Sequence, residues 1–121
     1  MRWLLHGNLT PAVAEAMKRH EQETRLPADV GLAADAPVPE VLEAARKNQL
    51  EILTADSAMV HTLFDSDLWF ARTIVLLGVE DADVEQDDAI DRLFARYKRL
   101  SPARLYTVTG SRVKVRQLPG K

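Results

Sequence analysis

The sequence predicts an α/β fold: a mostly parallel central sheet flanked by helices, closed by a C-terminal β-hairpin. Three observations carry this. Short apolar runs recur at residues 2–5, 50–54 and 72–77. Stretches with apolar residues at helical spacing separate them. The chain then closes on two alternating segments around Gly110 and Ser111, a hairpin signal. Strands that alternate with helices pair in parallel, and right-handed crossovers place helices on both faces.

Each element has a local reason. Residues 2–5 form a buried strand. Thr10 suits an N-cap and Pro11 a first helical position, so a helix runs to about His20 with Val13, Ala16 and Met17 on one side. Residues 21–37 are broken by Pro27, Gly31 and Pro37, with a short strand over Glu23 to Leu26. Pro39 opens a second helix. Its Glu40 and Glu43 near the start, and Arg46 and Lys47 near the end, suit the macrodipole. Asp56 or Ser57 caps a short helix through Phe64. A long helix spans about Asp83 to Leu100, with Ala89, Ile90, Leu93, Phe94 and Tyr97 at helical spacing. Ser101 and Pro102 end it. Trp3, Trp69 and Phe70 are expected in the core.

Composition narrows the functions. The 121 residues suit one domain, 1–121, and 46% are apolar, enough for a proper core. A net charge of −2 lacks the basic footprint of a tight nucleic-acid binder, so any such contact must be local. Arg112, Lys114 and Arg116 share one face of the last strand. They read first as a solvated edge that discourages aggregation. The absence of cysteine excludes disulfides, thiolate metal sites and thiol nucleophiles. No apolar run can span a bilayer. Residues 1–6 do not read as a signal peptide, and a cytoplasmic protein without a membrane partner is expected. There is no glycine-rich phosphate loop. Ser57 and Ser101 lack any base arrangement for a hydrolase triad.

Two strands end in polar groups, His6-Gly7-Asn8 after the first and Asp56 after Leu53-Thr54-Ala55. Polar groups at strand carboxyl ends are where an α/β sheet builds its site. Met1 to Pro11 resembles the opening of small PIN-like proteins, an apolar strand followed by Asp-Glu-Asn-Leu-Ser/Thr-Pro. Pro39 to Ala45 resembles their acidic second helix, Leu53 to Asp56 their Leu-Thr-x-Asp motif, and Val113 to Pro119 their basic closing strand. The resemblance covers nearly the whole chain.

It implies a metal-dependent ribonuclease of a toxin–antitoxin type system. RNA would be the substrate, an antitoxin-like protein a partner, and a homodimer the assembly. Asp56 and Glu40 would be catalytic ligands of Mg²⁺ or Mn²⁺, because hard dications take oxygen donors. His6 and Asn8 would line the site. The match is incomplete. His6 and Gly7 replace the acidic pair, Ala58 replaces an aspartate and Met59 an aromatic. The alternative it implies is a catalytically degenerate PIN-like domain acting as a protein-binding or regulatory module.

Each residue also has a plain structural reading. Asp56 caps a helix, Glu40 answers a helix dipole, and the Asn8 side chain ties down a turn. His6 has three: metal ligand, ion-pair partner of Asp56 in place of a metal, or filler of a decayed site. The second and third together are favoured. Asp35 is a reserve ligand in a Pro-bounded loop. His20 and His61 read as surface or core filler. Everything depends on residues 6, 40 and 56 meeting in one pocket.

Overall fold

The computed structural model describes residues 1–120. Six strands form one sheet: β1 (Arg2–His6), β2 (Glu23–Arg25), β3 (Glu51–Thr54), β4 (Ile74–Leu77), β5 (Arg104–Val108) and β6 (Val113–Gln117). Four helices connect them: α1 (Ala12–Arg19), α2 (Val38–Lys47), α3 (Ser57–Asp65) and α4 (Asp83–Arg96). The strand order is β2-β1-β3-β4-β5-β6. All pairs are parallel except β5 with β6, which closes as an antiparallel hairpin.

The central strands β1, β3 and β4 are buried on both sides because both faces are covered. Trp3, Leu5, Leu53, Val75 and Val108 point to the face packed by α1 and α4. Leu4, Ile52, Ile74, Leu76 and Leu105 point to the face packed by α2 and α3. All four residues of β3 and of β4 are buried. Trp3 and Phe70 are fully buried, as expected, and the Trp3 indole donates to Gln22 Oε1 at 2.8 Å. Trp69 is only half-buried and lies under the Arg46 guanidinium, 4.7 Å from its ring centroid.

Two expected helix boundaries shift. Thr10 does not cap α1. The cap position is Pro11, no side chain caps the helix, and the Thr10 hydroxyl is buried without a hydrogen-bond partner. Its backbone N–H is instead committed to Gln86 Oε1 at 2.8 Å. At the other end of the chain, α4 stops at Arg96 rather than near Leu100. Tyr97 leaves the helix in an extended conformation and sets its ring edge-on to Tyr106, at 5.2 Å between centroids. Such aromatic pairs favour this geometry, and Leu100 is buried beyond it.

The order β2-β1-β3 has a functional consequence. The connection from β1 runs outward to β2, and the next crosses back over β1 to β3. The winding therefore reverses between β1 and β3. At such a switch point the connections diverge and leave a crevice beyond the carboxyl ends of the two strands. His6 ends β1 and Thr54 ends β3, and they sit in register as partners.

Among the described residues, no helix is long and apolar enough to cross a membrane.

Candidate functional site

The crevice is built from three short segments. β1 delivers His6, and the turn after it carries Gly7 and Asn8. β3 delivers Thr54, and Asp56 follows as the N-cap of α3. Asp56 Oδ1 accepts from the Ala58 N–H at 3.0 Å. This is the capping role that its position allows, and it occupies one of the two carboxylate oxygens.

Thr54 organises the pair. Its side chain is fully buried, and Oγ1 accepts the Asp56 N–H at 2.9 Å. The same oxygen lies 2.8 Å from His6 Nδ1. One hydroxyl oxygen thus bonds both the Asp56 amide and the His6 ring. His6 and Asp56 therefore do not form the expected ion pair. Thr54 stands between them, and Asp56 acts on the imidazole only through space.

Burial pushes His6 below its ordinary value of 6.5, and the Asp56 charge pulls it only part of the way back. His6 is neutral at pH 7. The unfolded chain, with the ordinary value, takes up this proton more readily. Between the lowered folded value and 6.5 the unfolded state binds more protons, so stability falls as pH drops through this window and levels off above it. Thermal melts from about pH 8 down to about pH 5 should show this decline. The decline should be shallower in His6→Asn, which leaves His20 and His61 unchanged. Identical pH profiles for the two proteins would remove His6 as the source.

Gly7 closes the turn tightly. Its φ is +78°, and a Cβ there would stand 3.0 Å from Asp56 Cβ and 3.1 Å from Thr54 Oγ1. A side chain at this position has no room, and the turn stands close against Asp56 and Thr54.

Asn8 does not tie the turn through its side chain, which is exposed. The tie is Gln86, fully buried on α4. Its Oε1 accepts from the Thr10 N–H, and its Nε2 donates to the Asn8 carbonyl at 2.9 Å. Thr54 and Gln86 were the two residues that sequence reasoning passed over. A signal existed for Gln86: it stands three and four residues before the apolar positions Ala89 and Ile90, where a core residue belongs.

Glu40 does not join the site. It is exposed on α2 and lines a separate shallow depression with Asp29, Glu43 and Lys47. Residues 6 and 56 meet, and residue 40 lies elsewhere. Asp35 is exposed in the loop before α2. His20 pairs with Asp91 at 2.7 Å on the surface and stacks on Phe94.

Among the described residues, no three His, Cys, Asp or Glu side chains gather where they could hold a metal ion. A hard dication such as Mg²⁺ or Mn²⁺ wants several oxygen donors in near-octahedral array. The crevice offers one carboxylate already engaged at one oxygen, a neutral imidazole, and a hydroxyl committed on both sides. This donor set does not fit such an ion.

Beside the crevice, over the end of β1, lies a cleft of about 680 Å³; His6, Gly7 and Asn8 line it, and Thr54 and Asp56 do not. One wall is His6, Gly7, Asn8 and the start of α1. The other comes from residues 26–36 and Val41 of α2. The irregular segment of the sequence is therefore the far wall of the cleft. Protein-family models, curated proteins and solved structures were all compared with the chain, and none matches it.

Proposed function

We propose that this chain is a PIN-like domain without metal-dependent catalysis, acting as a regulatory binding module through the cleft over the end of β1. One observation carries the reading. The side chain that ends β1, where nuclease chemistry needs a carboxylate, is a neutral imidazole held by Thr54. Metal-activated hydrolysis draws on a dication to generate hydroxide and to neutralise developing phosphate charge. A lone Asp56 supplies too little negative charge to hold one. A neutral, hydrogen-bonded and partly apolar cleft is instead suited to recognition.

The test uses Mn²⁺ titration by calorimetry together with an RNA cleavage assay. Wild type should take up no Mn²⁺ saturably and should leave RNA intact. His6→Asp sets a second carboxylate beside Asp56 and should gain measurable Mn²⁺ uptake. The competing reading, a ribonuclease, draws on Asp56 lying at the switch point. Mn²⁺-dependent cleavage by wild type that disappears in Asp56→Asn would establish it and sink the proposal.

A further inference from the structure

We propose that the cleft over the end of β1 binds a neutral amphipathic small molecule. Its body is an aromatic or short aliphatic group, and its head is one uncharged hydrogen-bonding group such as a hydroxyl or an amide. This deepens the reading of the domain as a non-catalytic binding module and rests on it.

Size is the first argument. At about 680 Å³ the cleft falls within the range of roughly 300–1,000 Å³ typical of small-molecule sites. Its walls are largely apolar, with Leu5, Leu9, Leu26, Leu32 and Val41 converging from four segments. Leu26, which lines the cleft, is 57% exposed. Apolar surface left at the mouth of a concavity gains by being covered.

Charge is the second argument. Among the described residues, no Lys, Arg, Asp or Glu lines the cleft, and His6 is its one titratable wall. A charged head buried there would meet no counter-charge, and an uncompensated charge in an apolar site is expensive. The start of α1 does not rescue an anion either. Pro11 has no N–H, the Thr10 N–H is held by Gln86, and the Val13 N–H is turned back to the Thr10 carbonyl at 3.1 Å. The amides that usually cradle a phosphate at a helix start are mostly spent.

Hydrogen bonding is the third. Thr54 engages His6 Nδ1, and Nε2 makes no hydrogen bond among the described residues. That ring nitrogen is left to bond a group in the cleft. The exposed Asn8 amide sits beside it in the same wall. A neutral hydroxyl or amide, able to donate or to accept, bonds either tautomer of His6 without bringing charge into the cleft.

The experiment is a matched titration followed by the amide NMR signals, in buffer containing a metal chelator. Benzyl alcohol, benzoate and benzylamine share one body and differ only in the charge of the head. Benzyl alcohol should shift the Gly7, Asn8, Leu32 and Ala34 amides saturably. Benzoate and benzylammonium should bind about tenfold or more weakly. Ala34 is exposed, so Ala34→Trp should fold normally, fill the cleft and abolish the benzyl alcohol shifts. The inference is overturned by the absence of saturable shifts, by charged probes binding as well as the alcohol, or by unchanged binding in a folded Ala34→Trp. Its failure is distinct from failure of the functional reading, which is decided by Mn²⁺-dependent RNA cleavage in a chelator-free sample.

Discussion

Gly7→Ala should lower stability by about 2–4 kcal/mol, a fall in Tm on the order of 10 °C. Two costs add. A side chain at φ +78° occupies the left-handed region, which costs about 1–2 kcal/mol for a residue with a Cβ. The new Cβ also lies 3.0 Å from Asp56 Cβ, 3.1 Å from Thr54 Oγ1 and 3.2 Å from Asp56 N. Two of those atoms belong to the backbone or its first side-chain carbon, so relief must come from moving the strand end. The damage should therefore be local to the site. The Asp56 and Ala58 amide signals should move, and the His6–Thr54 hydrogen bond should loosen. Chemical denaturation measures the first effect and NMR the second. A Gly7→Ala protein as stable as wild type, with unmoved Asp56 and Ala58 signals, would show that the turn is not the constraint described.

Gln86→Met should cost about 2–3 kcal/mol although it keeps the side-chain volume. Gln86 is fully buried and uses both ends of its amide, accepting from the Thr10 N–H and donating to the Asn8 carbonyl. Methionine fills the space but leaves both backbone groups without their partner. Losing a partner costs more than the bond itself was worth, since the remaining group stays desolvated. The Asn8 carbonyl lies near solvent and recovers part of its loss, which keeps the figure below the sum of two fully buried groups. Hydrogen exchange at the Thr10 amide should accelerate beyond the global change in stability. Binding in the cleft should weaken too, because Asn8 and Thr10 form one of its walls. Unchanged exchange at Thr10 would remove Gln86 from its proposed role as the anchor of this turn.

These two residues mark where the sequence could and could not be read. The strands after Arg2, Leu50 and Arg72 were legible because each is a short run of apolar residues bounded by polar or turn-forming ones. Buried parallel strands carry that signature. The hairpin was legible because Gly110 and Ser111 interrupt an alternating pattern. The end of α4 was not, because helical spacing continues to Tyr97 while that residue is extended and sets its ring against Tyr106, a partner no local pattern reports. Nor does Thr10 cap α1: Pro11 takes the cap position, and Thr10 is held through its backbone N–H by Gln86, distant in the chain.

The site was legible by half. His6 and Asp56 follow strands that pair directly, so their meeting required only the correct strand order. Glu40 required something that no residue pattern reports: the roll of α2 about its axis. That roll is set by Val41, Leu42 and Ala45 packing against the sheet, and it turns Glu40 outward. The same packing keeps the second acid out of the crevice.

The sequence by itself determined the α/β class, the largely parallel sheet with its closing hairpin, and the placing of a histidine, His6, at the end of the first strand. These follow from the spacing of apolar residues and the chemistry of single side chains, both local properties of the chain. Only the tertiary structure decided that Thr54 separates His6 from Asp56, that Glu40 stands apart, and that residues 26–36 wall an apolar cleft. Those outcomes depend on which helix face the core takes up and on how closely a loop approaches a neighbouring strand. Such distances are set by the packing of segments far apart in the chain.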